Sequence, residues 1–477
     1  MHFLNDLLLF LHFRFFYPKK IFLFYAYSTL LIVSISSTIG AGIFNIPQNI
    51  ASELYAGYSI IIWVFTAFAI YFILLVYIRL SKLKPQESIY DHARELTGPF
   101  LGYLVGFGYY TSSLLTICCY GVTIAEAMNY FFPDVFNDDH KFYSIILTTV
   151  ILWIYFILYY NGLDKVLFLN SIATFCKIFV ILFYIIAVLI KLDLHKLTTD
   201  FFGKKDDEET KNPIKHLKSA FIICIFCYLG IETSTTLSDK SKSETLVSIA
   251  INISYVLVSI LYLLSTFLSY GILEKKELAK LGNPSMAGVL KEILKDFGKY
   301  FINFGMLISV LSCWLSWNVN LVELFDKFIV NKCVPKFFLK KNKHNISVYS
   351  LLFGTILIQI YLIVFPFLSE NVYLFIVNIS TVFIIPCYLS SSIYLIKISW
   401  KQDIKNIVFG CLGIIITLLS LISFKIDYIL FDFVFYLLGC GLYIYGNCDY
   451  GKPIYKKDII ITIVIGIIAI GGIIYIV

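Results

Sequence analysis

Gly40, Ala41 and Gly42 could bind a carboxylate through their backbone amides, because they break an apolar run that should form one helix. The run covers residues 21–50, which is long enough to cross a bilayer, and Pro47 lies near its end. Lipid offers no hydrogen-bonding partner, so a broken backbone must be packed in protein or line a watery cavity. The amides of the second half attract an anion and the unwound carbonyls hold a cation, as in substrate sites of secondary transporters. The alternative is that the glycines only allow close helix packing.

A second break is predicted at Gly230, within the apolar stretch 216–238, and Glu232 follows it. A carboxyl group at membrane depth is costly and usually faces a cavity, a partner or a proton path. We therefore predict that Glu232 couples protons to gating. The alternative is a structural acid that is hydrogen-bonded to freed backbone. Glu126 is a second gating or proton-coupling candidate, although it lies near the end of its span and could simply reach the interface.

Two aromatic residues are candidates for contact with a substrate side chain. Trp317 lies in the middle of the stretch 301–327, where an indole could stack on a guanidinium or cover an alkylammonium chain. Phe226 precedes Gly230 by four residues and could cap a pocket there. Since 18% of the chain is aromatic, ordinary packing of Trp317 is the competing interpretation.

The composition is that of a polytopic membrane protein. Of 477 residues, 59% are hydrophobic and only 14% are charged, against about 25% charged in soluble domains. The net charge of +7 indicates contact with anionic lipid headgroups and no binding of nucleic acid. Cys224 and Cys227 form a C-x-x-C pair inside a predicted span, which we interpret as packing. Without a nucleophile–base motif, phosphate loop or metal-ligand cluster in the sequence, we expect no enzyme and no cofactor or metal.

Hydropathy predicts thirteen membrane spans, with an N-terminal segment on the cytoplasmic side because basic residues concentrate in the loops of that side. The loop 273–300 has amphipathic spacing from residue 284 to 300, which predicts short helices on the outer surface. The spans are 22–51, 57–80, 99–132, 142–160, 164–191, 216–238, 246–272, 301–327, 347–366, 371–397, 404–424, 428–446 and 458–477.

The two predicted breaks fall in the first and the sixth span, so five spans separate their starts. An odd number of spans reverses the orientation in the membrane, and the two halves would therefore be inverted repeats. Paired interrupted segments of this kind indicate a substrate site near the membrane midplane.

The chain resembles the amino acid–polyamine–organocation superfamily, and within it the basic amino acid/polyamine antiporters, above all the arginine/ornithine and arginine/agmatine exchangers. The resemblance covers roughly residues 30 to 400 by order and spacing. It is carried by TIGAGIFNIPQNIA at 38–51, YLGIET at 228–233, ELAKLGNPSMAGVL at 277–290, and the Trp317 segment with VPKFFLKKNKHNISV at 334–348.

The resemblance implies an all-α polytopic fold with a five-plus-five inverted-repeat core, broken helices 1 and 6, and two to three additional C-terminal helices. We expect a cytoplasmic or interfacial segment at 1–21, the transport core at 22–397 and the additional helices at 398–477. The resemblance also implies a substrate site. The α-carboxylate would meet the amides near Gly40, Ala41 and Gly42, and the α-amino group would meet carbonyls around Phe226, Tyr228 and Leu229. The side chain would lie against Trp317, and the glutamate linked to proton-dependent gating corresponds to Glu232.

Several positions depart from the pattern of the family. The serine of the first break is Ala41, a polar asparagine of span one aligns with Ser37, and a guanidinium-binding asparagine of span three aligns with Ile117. Losing these polar contacts puts strict arginine specificity in question. Lys177 in span five could neutralise a helix dipole, pair with an acid, or replace the sodium ion that some related transporters bind.

We therefore predict a secondary amino-acid transporter for cationic substrates, working by alternating access as an antiporter or by proton-coupled uptake. The alternatives are a neutral amino-acid permease and a non-transporting nutrient sensor on the same fold. The expected partners are an amino acid, protons and membrane lipids, with no nucleic acid. The expected location is the bacterial inner membrane, as a monomer or homodimer with a cytoplasmic N-terminus.

Overall fold

The computed structural model describes residues 35–36, 38–85, 87–136, 141–162, 164–204, 211–232, 244–369 and 371–476. The regular elements of these residues are sixteen α-helices and two short 3-10 helices, Leu268–Gly271 and Lys336–Leu339. The α-helices are α1 (Gly42–Ala51), α2 (Ala56–Leu83), α3 (Ile89–Thr97), α4 (Pro99–Phe131), α5 (Lys141–Tyr160), α6 (Asp164–Ile190), α7 (Leu194–Thr198), α8 (Pro213–Cys227), α9 (Glu244–Phe267), α10 (Lys275–Leu278), α11 (Ser285–Val330), α12 (Val348–Leu368), α13 (Val372–Ser399), α14 (Ile404–Ser423), α15 (Ile426–Asp449) and α16 (Lys456–Ile476).

The predicted all-α membrane fold is confirmed. Eleven helices among the described residues are long and apolar enough to cross a membrane, and they match eleven of the thirteen predicted spans. The other two predicted spans, 22–51 and 216–238, extend beyond the described residues. Of the first, α1, the residues 39–41 before it and the helical residues 35, 36 and 38 are described, and of the second, α8 and the turn that follows it.

Helix α13 lies at the centre of the bundle. Of the most apolar 18-residue stretch of this helix, 72% is buried inside the protein, against 22% for the corresponding stretches of α5 and α16. It packs against α4 and α14, and α4 in turn packs against α11 and α3. Because α4 and α13 are enclosed, the polar side chains that they carry must find partners within the protein rather than in lipid.

Pro47 lies inside α1, and a serine from another helix repairs the hydrogen bonding one residue later. The Gln48 amide, which in a regular helix would donate to the Phe44 carbonyl, donates to the Ser285 hydroxyl at 3.1 Å. That hydroxyl donates in turn to the Phe44 carbonyl at 3.3 Å. The Gln48 side chain also donates to the Ala279 carbonyl at 3.1 Å. The segment between α9 and α11 is thus bound to α1.

Helix α11 combines a predicted short helix with a predicted span. Its backbone leaves the helical region at Lys295, with φ 55° and ψ −140°, so it bends between its first turns and the stretch 301–327. The short helices expected in the loop 273–300 are therefore present, as α10 and the start of α11.

Candidate functional site

The first break leaves the start of a helix inside the protein. Ile39 and Gly40 are not helical, and α1 begins again at Gly42. The amides of a first helical turn have no partner within the helix. Ala41, which occupies the capping position, makes no side-chain cap. The Phe44 amide donates to the Ala41 carbonyl at 3.2 Å, so among the described residues the Gly42 and Ile43 amides are the ones left for an anion. The positive end of the α1 dipole favours an anion there.

Close packing accounts for the glycines on either side of Ala41. A Cβ atom on Gly40 would lie 3.0 Å from the Tyr120 hydroxyl, and one on Gly42 would lie 3.1 Å from the Cys227 sulfur. Real Cβ atoms rarely make contacts this close, so a larger residue would displace α4 or α8. The predicted break is therefore a position where α1 needs to come close to two other elements.

The second break begins where α8 ends, at Cys227. Gly230 has φ 97°, in the region that residues with a Cβ rarely adopt, which turns the chain out of the helix. The carbonyl of Phe226 accepts from the Leu229 amide at 3.1 Å, and that of Tyr228 accepts from the Ile231 amide at 3.2 Å. Each of these carbonyls keeps a second lone pair that can accept from an ammonium group.

The two breaks meet each other. The Tyr262 hydroxyl lies 3.0 Å from the carbonyl oxygen of Thr38 and 2.8 Å from that of Cys227. The Phe226 ring packs edge-on against the Tyr373 ring at 6.4 Å between centroids. The Tyr373 hydroxyl lies 3.8 Å from the position of a Cβ on Gly42. The predicted carboxylate site and the predicted amino-group site are therefore neighbours.

Lys177 places a cation against the first break. Its side chain is fully buried, and Nζ lies 3.1 Å from the Ile39 carbonyl and 3.3 Å from the Ser36 carbonyl. It also lies 3.4 Å from the Ser36 hydroxyl and 3.1 Å from the Cys313 sulfur. These carbonyls lie where the helical residues before the break end, so the contacts fit both the expectation that Lys177 neutralises a helix dipole and the expectation that it replaces a sodium ion.

Glu232 lies in a cluster of phenols. Tyr109 donates to Oε1 at 3.0 Å and Tyr388 donates to Oε2 at 3.2 Å. The Gly230 amide donates to both oxygens at 3.2 Å. The cluster joins the second break to α4 and α13, so a change in the charge of Glu232 would be felt by both enclosed helices.

Trp317 is buried, on the same side of α11 as a residue that touches the first break. Cys313, one helical turn before Trp317, has its sulfur 3.2 Å from the Ile39 carbonyl. Residues four apart lie on the same helix face, so Trp317 is next to that contact along the helix. The Trp314 ring packs edge-on against Tyr155 at 5.3 Å.

Positions along helix α4 give the distances between Glu232, the first break and Glu126. Tyr109 contacts Glu232, Tyr120 contacts the Gly40 position and Glu126 lies beyond both. At 1.5 Å per residue, Glu126 is roughly 25 Å from Tyr109 and roughly 9 Å from Tyr120 along the helix. The two predicted acids therefore lie on opposite sides of the first break and do not share a site.

Glu126 lines a cavity of about 340 Å³, which we call the Glu126 cavity. The Asn283 side-chain amide donates to Glu126 Oε1 at 3.3 Å. The cavity is lined by Gln48, Val122, Ala125, Glu126, Asn129, Phe136, Lys141, Ser144, Ile145, Thr148, Leu281, Gly282, Asn283, Leu362, Pro366, Asn371 and Val372. Its size falls within the range of small-molecule sites.

His92 lies close to the Glu232 cluster but outside the membrane spans, in α3. It is 3% exposed, its Nδ1 lies 3.2 Å from the Ser391 hydroxyl, and its ring stacks on Tyr394 at 5.5 Å. Burial lowers the pKa of His92 from 6.5 to about 4, although nearby Asp91 raises it slightly. The imidazole is therefore neutral at pH 7.

The structure brings the predicted residues of the two breaks together, whereas Ser37 lies outside the described residues. The sequence did not predict the tyrosine hydroxyl groups that surround the residues of the two breaks. A chain with 35 tyrosines gives no signal that marks these as special. They are Tyr109, Tyr120, Tyr262, Tyr373 and Tyr388.

Comparison with known proteins places this geometry in context. A family model described as amino acid permease matches residues 25–477. An arginine/agmatine antiporter of Chlamydia pneumoniae is 30% identical over 460 residues, covering 92% of this chain and 94% of the relative. One of Chlamydia felis is 31% identical over 424 residues, covering 86% and 87%. A protein of Clostridium perfringens named only as a candidate amino-acid transporter is 30% identical over 463 residues, covering 93% and 96%.

Proposed function

This chain belongs to the amino acid permease family, and from that premise we propose that it moves cationic amino acids across the bacterial cytoplasmic membrane by alternating access. The substrates would be of the arginine, ornithine or lysine type. The observation that carries the proposal is the contact between the two breaks through Tyr262, which brings free amides next to carbonyl acceptors. An α-amino acid carries the complementary pair of charges on two groups attached to the same carbon atom.

In this proposal the amides after Ala41 bind the α-carboxylate, and the carbonyls of Phe226, Tyr228 and Leu229 bind the α-amino group. Neither contact depends on the substrate side chain, so this part of the site serves any amino acid. Specificity then comes from the residues around the side chain, where Trp317 is the candidate partner for a cation.

Two observations bear on the charge of the substrate. Relatives at about 30% identity are named arginine/agmatine antiporters, which favours a cationic substrate. Ile117, aligned with a guanidinium-binding asparagine in the resemblance, is fully buried and apolar, which favours a neutral one. A neutral amino-acid permease is therefore the second candidate.

For the mode of transport we propose exchange or proton-coupled uptake, with Glu232 as the group whose protonation controls gating. Its contacts with Tyr109 and Tyr388 support this role, because they join the second break to two enclosed helices. We also propose a five-plus-five inverted repeat over residues 22–397 and a cytoplasmic N-terminus. The positions of the two breaks and the basic loops support this arrangement.

The test is transport by purified protein in liposomes loaded with unlabelled arginine, with labelled arginine added outside. We expect saturable uptake that lysine and ornithine compete for and that leucine does not. Dependence on internal amino acid would indicate exchange, and dependence on a proton gradient would indicate symport. Stronger competition by leucine than by lysine would favour the neutral permease, and no uptake of either class would favour a sensor.

A further inference from the structure

The Glu126 cavity has the chemistry of a site for a charged amino acid. Among the described residues that line it, the two charged side chains, Glu126 and Lys141, have opposite signs and share the space with four side-chain amides. Lys141 Nζ donates to the Pro366 carbonyl at 2.8 Å, which fixes the ammonium at the cavity wall. A ligand with a cationic group at one end and a carboxylate at the other would find a partner for each.

Asn283 adds an acceptor next to the acid. Its Nδ2 donates to Glu126 Oε1, while its buried Oδ1 has no hydrogen-bond partner among the described residues. A buried polar atom without a partner is costly, so such an atom calls for an explanation. An ammonium or guanidinium group that bridges Glu126 and Asn283 Oδ1 would supply the missing hydrogen bond.

The cavity lies next to the substrate site, on the side away from Glu232. Gln48, on its wall, is roughly 9 Å along α1 from Gly42. Val372, also on the wall, adjoins Tyr373, whose hydroxyl lies beside the Gly42 position. Tyr373, which also contacts the Phe226 ring, thus connects the cavity wall at Val372 with the junction of the two breaks.

We propose that the Glu126 cavity is a second binding site for a cationic amino acid, occupied before the substrate passes Tyr373 to reach the breaks. Glu126 and Asn283 hold the side-chain ammonium or guanidinium, and Lys141 holds the α-carboxylate. This inference rests on the proposed function, and under the proposed orientation the cavity opens to the outside of the cell.

The test counts bound labelled L-arginine per purified chain by equilibrium dialysis at saturating concentration. We expect about two molecules for the wild type, about one for Glu126→Gln and about one for Gly42→Val, whose position belongs to the first break and not to the cavity lining. Asp134→Asn removes an exposed acid outside the cavity lining and is the matched control, with about two. One molecule bound by the wild type, or two bound by Glu126→Gln, would overturn the proposal.

A gain-of-affinity variant separates a binding defect from misfolding. Asn129→Asp adds a carboxylate to the cavity one turn from Glu126, and a misfolded protein would not bind more tightly. We expect the weaker of the two dissociation constants for arginine to fall about tenfold. An unchanged or raised constant would contradict the proposal.

Lys141→Gln tests the other end of the ligand. It should weaken cavity binding of arginine but not of agmatine, which lacks the carboxylate, and equal weakening of both would contradict the assignment. Failure of the proposed function has a different signature: wild-type liposomes would take up no arginine, even where dialysis finds a site that depends on Glu126.

Discussion

The ammonium of Lys177 lies 3.1 Å from the carbonyl oxygen of Ile39, at the point where the first helix is broken. A buried ammonium is costly unless it is well hydrogen-bonded, and unwound backbone provides such acceptors without a second charge. The lysine and the break therefore stabilise each other.

Removing this ammonium should destabilise the break. In Lys177→Ala the Ser36 and Ile39 carbonyls lose a buried donor, at a cost of about 1–3 kcal/mol in the free energy of unfolding. We expect a lower Tm and loss of arginine uptake. If the vacated space binds sodium, Tm in NaCl should exceed Tm in KCl. Lys191→Ala, an exposed lysine after the same helix, is the control. Normal uptake by Lys177→Ala would contradict the prediction.

Gly42→Val should abolish transport without preventing insertion. The added Cβ would lie 3.1 Å from the Cys227 sulfur, and the larger side chain would also block approach of a carboxylate to the amides. Uptake and the amount of protein in the membrane are the measurements. Gly441→Val is the matched control, because no atom lies within 4 Å of the added Cβ. Transport by Gly42→Val at the wild-type rate would remove the first break from the site.

Trp317→Leu should weaken cationic substrates more than neutral ones. Losing a partly desolvated cation–π contact costs on the order of ten- to thirtyfold in affinity. Trp314→Leu serves as the comparison, since that ring packs on Tyr155 and its loss should lower Tm without changing selectivity. Inhibition constants for lysine and leucine against labelled substrate give the answer. An equal effect on both classes would leave Trp317 as a packing residue.

Glu232→Gln should flatten the dependence of uptake on pH. Glutamine has the shape of the neutral acid and can still accept from Tyr109 or Tyr388, but it cannot lose a proton. Initial uptake rates from about pH 5 to 8 measure the effect, and a thermal-shift assay with arginine checks that binding survives. Glu323→Gln, at an exposed acid of α11, is the control. A wild-type profile in Glu232→Gln would mean that the carboxyl group is only structural.

His92 should make the protein less stable in acid. Its pKa is about 4 when folded and 6.5 when exposed, so the unfolded chain takes up the proton first as the pH falls. The free energy of unfolding should fall between pH 6.5 and 4 by roughly 3 kcal/mol at most and then level off. Above pH 6.5 His92 has no effect. Tm at pH 7 and pH 5 should differ less in His92→Asn than in the wild type, whereas exposed His344→Asn should behave as wild type.

The sequence was sufficient to predict the membrane helices, because an uninterrupted apolar run of about 20 residues has few other uses. The two breaks were also predictable, since Gly40, Gly42 and Gly230 are informative inside apolar runs. Contacts between residues that are far apart in the sequence could not be predicted. The meeting of Tyr262 with Thr38 and Cys227, and of Tyr109 with Glu232, depends on how helices pack, and tyrosine is too common in this chain to stand out.

The hydroxyl of Ser285 completes the hydrogen bonding of α1 between Gln48 and Phe44. Neither the loop before α11 nor the second half of the broken helix can then move far without the other. A binding partner that holds the loop at the protein surface would therefore also hold α1 at the proposed substrate site. An antibody fragment raised against residues 275–280, which do not line the Glu126 cavity, would therefore inhibit transport without occupying the cavity or the breaks.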